Sequence, residues 1–274
     1  MDKESFVISK FSNKFIGDDG AVLGKWVLSK DLFLENSHFK MGWLSFYEIG
    51  KKAMSVNLSD AIVMNAKPKF TLIGLMLPKN ITFKEIDELK NGILDISKQY
   101  GVKIIGGDTV KSDILGISVS IISYAKKPIF RKKLKNGELL AFTGNLGGSL
   151  KGLKTLQRCA KNYKILGKNS RFRNVILRDK FFYNSSKFIN SAMDISDGLA
   201  CDLPKFIKNK NIKFIKKLKK YEFLSGEEYE VLFSFSKKNK FRIINEAKKA
   251  RIKLTIFGET IDGKYKKRAR NWHF

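Results

Sequence analysis

Cysteine is nearly missing from this chain: Cys159 and Cys201 are the two in 274 residues, so no disulfide framework is implied. A reducing cytoplasm is the compartment that fits. No apolar run approaches the ~20 residues needed to cross a bilayer. The richest, Ile114 to Ala125, is interrupted by Gly and Ser and reads as a buried strand. Met1 to Lys10 lacks the long apolar core of a signal peptide. The chain has no helix-turn-helix, zinc-finger or RNP-like pattern, no internal repeat, and neither a P-loop ending nor a Rossmann glycine pattern before a helix. Acid is scarce too: 26 Asp and Glu stand against 54 Lys and Arg, for a net charge of +28. That balance attracts polyanions. The basic residues are spread along the whole length, however, and a phosphorylated small molecule suits the same charge with less strain. Nucleic acid is not the expected partner. Hydrophobic residues make up 43%, enough for a true core, and the length suits one large domain or two ordinary ones.

Against that basic background the acids that do occur stand out. Ser191-Ala192-Met193-Asp194-Ile195-Ser196-Asp197-Gly198-Leu199 places two of them around a serine. On an extended backbone Asp194 and Ser196 point to one side. Ser196 or Asp197 is then placed to cap a helix running through Leu199, Leu203 and Phe206. Oxygen ligands crowded at a helix start suit a hard cation such as Mg²⁺; a capped helix with solvated acids is the plainer alternative. Asp60 falls on the apolar stripe of a helix read from Phe46 to Asn65, four after Val56 and three before Val63. A buried carboxylate needs a partner, either a cation or a Lys/Arg.

The rest of the chain reads as alternating strands and helices, an α/β or α+β arrangement. An acidic turn, Gly17-Asp18-Asp19-Gly20, leads into a strand, and a second strand over Trp26 to Leu28 ends at Ser29-Lys30-Asp31. His38 follows, and a lone histidine is usually a satisfied structural residue. Lys67-Pro68 closes the first helix, and Phe70 to Leu77 is a strand stopped by Pro78. A helix over Thr82 to Tyr100 precedes a strand, Val102 to Ile105, that runs into Gly106-Gly107-Asp108-Thr109. Gly-Gly-Asp at a strand end lets backbone approach a phosphate. A boundary is expected near Ala125 to Gly137, dividing the chain into 1–130 and 131–274. Beyond it Glu138 to Thr143 is a strand, and Gly144-Asn145-Leu146-Gly147-Gly148-Ser149 opens a helix whose start is another candidate phosphate cradle. Asp179 to Asn190 reads as a helix. Glu227, Glu228 and Glu230 surround Tyr229 before a strand over Val231 to Phe235. They are either a solvated turn or a site for a cationic substrate.

Taken in order, Gly17-Asp18-Asp19, Ser29-Lys30-Asp31, Asn57-Leu58-Ser59-Asp60, Gly106-Gly107-Asp108-Thr109, Asp194-Ile195-Ser196-Asp197-Gly198 and Ser225-Gly226-Glu227-Glu228-Tyr229-Glu230 resemble the thiamine-monophosphate kinase family. That family belongs to the aminoimidazole-ribonucleotide-synthetase-like superfamily, and the resemblance covers nearly the whole chain. It implies a two-domain fold whose N-terminal domain pairs in a homodimer to build a shared barrel. ATP and several Mg²⁺ ions would bind in the cleft between domains. The γ-phosphoryl group would pass directly to the phosphate of thiamine monophosphate, without a protein nucleophile or strong general base. The resemblance places metal ligands at Asp19, Asp31, Asp60, Asp108, Asp194 and Asp197, with Ser29 and Lys30 adjoining. It places nucleotide contacts at Gly107, Asp108, Arg131 and Ser196, and substrate contacts at His38, Glu227 and Trp272.

Three positions depart from the family pattern. Lys30 stands where threonine is usual, Gly148 where aspartate is common, and Glu228 where aspartate is common. Rival readings are another ATP-using enzyme of the superfamily, or a polyanion-binding protein on an inactive kinase scaffold. A selenophosphate synthetase would carry a reactive cysteine near the N-terminus, and a hydrogenase-maturation factor a C-terminal one.

Overall fold

The computed structural model describes residues 3–159 and 163–265. Helix α1 (Lys3–Lys10) is followed by the acidic turn and the hairpin strands β1 (Ala21–Leu23) and β2 (Trp26–Leu34). Helix α2 (Phe46–Val63) starts at Ser45, whose hydroxyl accepts from the Glu48 N–H while the Glu48 carboxylate accepts from the Ser45 N–H. This reciprocal pair satisfies two donors that a helix start otherwise leaves open. Strand β3 (Lys67–Pro78) leads to helix α3 (Phe83–Tyr100), which Thr82 and Glu85 cap in the same way. Strands β4 (Lys103–Ser112) and β5 (Gly116–Tyr124) follow. After them come β6 (Glu138–Thr143), α4 (Gly148–Cys159), α5 (Asp179–Ser185), β7 (Ser191–Asp194), α6 (Leu199–Ile207) and β8 (Lys210–Phe214). The order ends with α7 (Lys220–Leu224), β9 (Val231–Ser236), α8 (Lys240–Lys249) and β10 (Leu254–Asp262).

Among the described residues the strands form two five-stranded sheets. The first runs β1-β2-β5-β3-β4 and is antiparallel except where β3 and β4 pair in parallel across the α3 crossover. The second runs β7-β9-β6-β10-β8 and is antiparallel throughout. Strand β2 alternates: Val27, Ser29 and Phe33 are buried, whereas Trp26, Leu28, Lys30 and Leu32 are exposed on the opposite face. The buried face packs on α2, so Phe33, Ile117, Val119 and Ile121 share one core with Ile49, Ala53 and Ile62. That core continues into Leu139, Ala141, Phe181 and Phe233 of the second half. The alternate residues of β6, Leu140 and Phe142, enter a second core with Met193, Leu203, Phe206 and Phe257 beneath α6. Both faces of the central strand are therefore covered, which explains its unbroken apolar run.

Four expectations shift. Ser29-Lys30-Asp31 lies inside β2 rather than at its end. Strand β3 takes in Pro68, beside a register shift where a missing N–H costs the ladder least. The helix expected over Asp179 to Asn190 is a short α5 with a 3₁₀ turn at Ser186–Phe188, and the chain is already extended at Ser191. The largest change is at Gly106-Gly107-Asp108-Thr109, which is not the end of the strand: β4 runs straight through it as an edge strand. A Cβ at Gly107 would lie 1.8 Å from the Ile73 carbonyl oxygen. The glycine there serves close packing of two strands, with a register shift nearby between Thr71 and Leu72.

Candidate active site

Four elements deliver carboxylates to one cleft. Asp19 comes from the turn before β1, Asp31 from β2, Asp60 from the last turns of α2, and Asp194 from the end of β7. One carboxylate oxygen from each of Asp19, Asp60 and Asp194 lies within 4.8 Å of the other two. The cleft has a volume of about 700 Å³ and is also lined by Lys30, His38, Arg131, Ser196, Asp197 and Tyr229. Strand and helix hold these acids from behind. Ser59 Oγ donates to Asp194 Oδ2 at 2.8 Å. The buried Asn57 accepts from the Asp31 N–H at 2.8 Å and donates to the Ala53 carbonyl at 2.9 Å. Asp60 therefore sits on the inward stripe of α2, as its spacing predicts, and the polar neighbours Asn57 and Ser59 serve the same centre.

The charges are not balanced. Burial raises the Asp60 carboxyl well above its ordinary value, and the negative charges of Asp31 and Asp194 raise it further. Asp194 is pushed up to about 8, first by burial and then by Asp19. Asp19 and Asp31 are raised as well, each mainly by burial. Arg131 is the one cation in direct contact among those named above: its Nη2 donates to Asp19 Oδ1 and its Nε to Asp19 Oδ2 at 3.3 Å. Burial lowers the Arg131 guanidinium, but Asp19 more than offsets this and holds it above its ordinary value. Its backbone N–H is bound by Asp18 at 2.5 Å. An all-oxygen donor set this crowded and partly dry fits a hard divalent cation.

The remaining predicted residues are placed as follows. Asp197 pairs with Lys205 at 2.7 Å on the rim. Neither Ser196 nor Asp197 caps α6 with its side chain; the cap position is Gly198, and the Asp197 N–H is instead bound at 3.2 Å by Asp202, from inside the helix. Asp202 is fully buried, which raises its carboxyl well above the usual range, with Asp197 adding to the effect. Sequence reasoning passed over Asp202, although it falls five after Asp197 and one before Leu203 on an otherwise apolar helix. Ser29 is buried on the helix-facing side of β2. Lys30 points to the opposite face and donates to Ser118 Oγ. His38 accepts from the Leu34 N–H at Nδ1 (3.0 Å), which puts its ring hydrogen on Nε2, and it packs on Phe33. Glu227 pairs with Lys52 of α2 at 2.9 Å. Gly107 and Asp108 do not line this cleft; they line a separate groove between α3 and β4. Trp272 lies outside the described residues.

The glycine turn at Gly144–Ser149 is not an open phosphate cradle. Glu228 already occupies it, accepting from the Gly147 N–H at 2.8 Å and the Ser149 N–H at 2.9 Å. Gly147 has φ +103, and that left-handed backbone turns its N–H onto the carboxylate. Arg171 and Arg178 then bracket Glu230, at 3.1 and 2.5 Å. An internal carboxylate has taken the place expected for a ligand anion, and sequence spacing offered no sign of a partner 81 residues away.

Residues 17–125 match the family AIR synthase related protein, N-terminal domain. The chain is 33% identical to the thiamine-monophosphate kinase of Buchnera aphidicola subsp. Schizaphis graminum, over 89% of this chain and 84% of that protein. It is 32% identical to the thiamine-monophosphate kinase of Methanocaldococcus jannaschii, over 93% of this chain and 91% of the other. In three dimensions it is similar to AaThiL complexed with AMPPCP and TMP, with a TM-score of 0.84 and 25% identity over 98% and 94% of the two chains. The extent and level of these matches, together with a cleft of convergent carboxylates, lead to one conclusion: this chain belongs to the thiamine-monophosphate kinase family.

Proposed function

We propose that the protein transfers the γ-phosphoryl group of ATP to the phosphate of thiamine monophosphate, forming thiamine diphosphate and ADP. The observation that carries this reading is the cluster of Asp19, Asp60 and Asp194 in a cleft that a basic chain leaves short of cations. A phosphate oxygen of one substrate attacks the γ-phosphorus, and the bond to the β-bridging oxygen breaks. The attacking oxygen is already anionic, so no side chain has to remove a proton. Asp19, Asp31, Asp60 and Asp194 would hold Mg²⁺, with Asp197 and Ser29 at the margin, and Mg²⁺ supplies neutralisation of the phosphate charges. Arg131 and Ser196, which line the cleft, are assigned to the nucleotide phosphates. His38 and Glu227 are assigned to the thiamine end.

The two sheets, within 1–130 and 131–274, are taken as the two domains. The first presents an exposed apolar face at Trp26, Leu28, Leu32 and Leu72, and we assign that face to pairing with a second copy of the chain. Such a pairing offers Asp108 and Gly107 a cleft to serve other than their own. Coexpressed Asp108→Asn and Asp194→Asn chains should then regain activity that neither has alone.

The deciding experiment is coupled measurement of ADP release with thiamine monophosphate, ATP and Mg²⁺. Activity that depends on all three supports the reading. ADP release indifferent to thiamine monophosphate, beside tight retention of RNA at physiological salt, would sink it in favour of a polyanion-binding scaffold.

A further inference from the structure

The outward face of the first sheet is apolar at Trp26, Leu28, Leu32 and Leu72, and two charges stand within it. Partners across a ladder share a face, so the strand register orders this surface in rows. One row runs Leu32, Ser118, Gly74, Asp108, and the next runs Lys30, Ser120, Leu72, Gly106. Lys30 and Asp108 are the charged members of these two rows, and both are exposed. Three strand spacings separate them, roughly 14 Å, which is farther than the two side chains together can span.

Neither charge is matched within the chain. Lys30 donates to the Ser118 hydroxyl, which leaves the rest of its ammonium donors open. Asp108 Oδ1 accepts from the adjoining Thr109 N–H at 2.8 Å. Among the described residues neither makes an ion pair. Pairing this face with a second copy, as assigned above, takes both charges out of water, and an unmatched charge there is costly. Contacts about a two-fold axis are reciprocal: where one residue meets another, the second meets the first. An axis through the middle of the two rows, near Ser120 and Gly74, lays Lys30 of each copy over Asp108 of the other. That middle is low. Gly74 has no side chain and its neighbours Ser118 and Ser120 have small ones, so the two faces can approach there.

We propose that Lys30 of each copy forms an ion pair with Asp108 of the other, giving two equivalent charge locks across the dimer. This rests on the pairing assigned above and specifies its partner as a second copy in one orientation. Lys30 lines the acidic cleft, whereas Asp108 does not line the cleft of its own chain. The lock therefore carries a carboxylate of the second copy to the cleft's edge, and each cleft is complete only in the dimer.

The test uses two charge-reversed full-length chains, Lys30→Glu and Asp108→Lys. Each alone sets like charges opposite one another twice in its own dimer, so its dimer Kd in sedimentation should rise by about tenfold or more. Mixed, the two chains satisfy both locks at once and should form the mixed dimer almost exclusively, read by native mass spectrometry. A single chain carrying both reversals should pair nearly as tightly as the intact one. Association of the mixed chains in random proportions overturns the proposal, as does a single reversal that leaves the dimer Kd unchanged. Should a reversed chain fail to fold, Lys30→Gln and Asp108→Asn take its place. Each should weaken the dimer, and the two together should cost no more than either alone; additive losses overturn the lock. If the intact chain sediments as a monomer, the pairing itself fails, which is distinct from a dimer that forms without the lock.

Discussion

Two groups of carboxylates stand close together in this molecule, and they are treated in opposite ways. Glu228 and Glu230 are enclosed by donors: Arg171, Arg178, Ser225, Thr143 and the N–H groups of a helix start. Asp19, Asp31, Asp60 and Asp194 have Arg131, one serine and one another. The first group is charge-matched within the chain and holds the fold. The second is left unmatched in a protein with 54 basic residues to draw on. Local charge balance, not net charge, separates acids that build from acids that bind.

The sharpest way to break this contrast is to neutralise one member of each group. Asp60→Asn and Asp194→Asn should each lower turnover by about a hundredfold or more, exceeding the loss usual for outer partners of a metal site. Neither should lower the melting temperature in the absence of divalent ions, because each removes a buried carboxyl that the fold holds well above its ordinary range. Near-normal turnover at saturating Mg²⁺ in either variant would remove that residue from the metal site. Glu230→Gln should do the reverse, destabilising the fold by about 3–5 kcal/mol in urea unfolding, since it strands Arg171 and Arg178. A loss under about 1 kcal/mol would show that this network is not architectural.

The gentlest probe is pH. Asp194 is held at about 8 in the folded chain against an ordinary 3.8, so the folded state keeps a proton that the unfolded state has released. The stability this lends is complete below the ordinary value and is lost as pH climbs through about 8. Without divalent ions the protein should melt at a lower temperature at about pH 9 than at about pH 6, and added Mg²⁺ should raise the melting point more at the higher pH. An equal Mg²⁺ shift at both values would contradict the crowding described for these acids.

Much of this arrangement is legible in the residues. Thr82 with Glu85 announces a helix start, and Asp60 on an apolar stripe announces a carboxylate that faces inward. Periodicity works there because each signal is local. What it misses is non-local. The glycine pair before Asp108 reads as a strand end open to a phosphate, whereas contact with Ile73 on another strand is what requires glycine at 107. The turn at Gly147 reads as vacant because its occupant, Glu228, is remote in sequence. Lys52 goes unremarked in the sequence, yet it lies three after Ile49 and four before Val56, on the stripe that already points inward. That spacing was the available clue.

The order of strands also bears on synthesis. Strand β2 pairs on its inner side with β5, and the Lys30 to Ser118 contact spans 88 residues. The Ser59 to Asp194 contact spans 135. A growing polypeptide can therefore complete its first sheet while its acidic centre still lacks a wall. A product released before Asp194 is made lacks one of the three carboxylates that meet in the cleft, so the full acidic centre is assembled only when translation is mostly done.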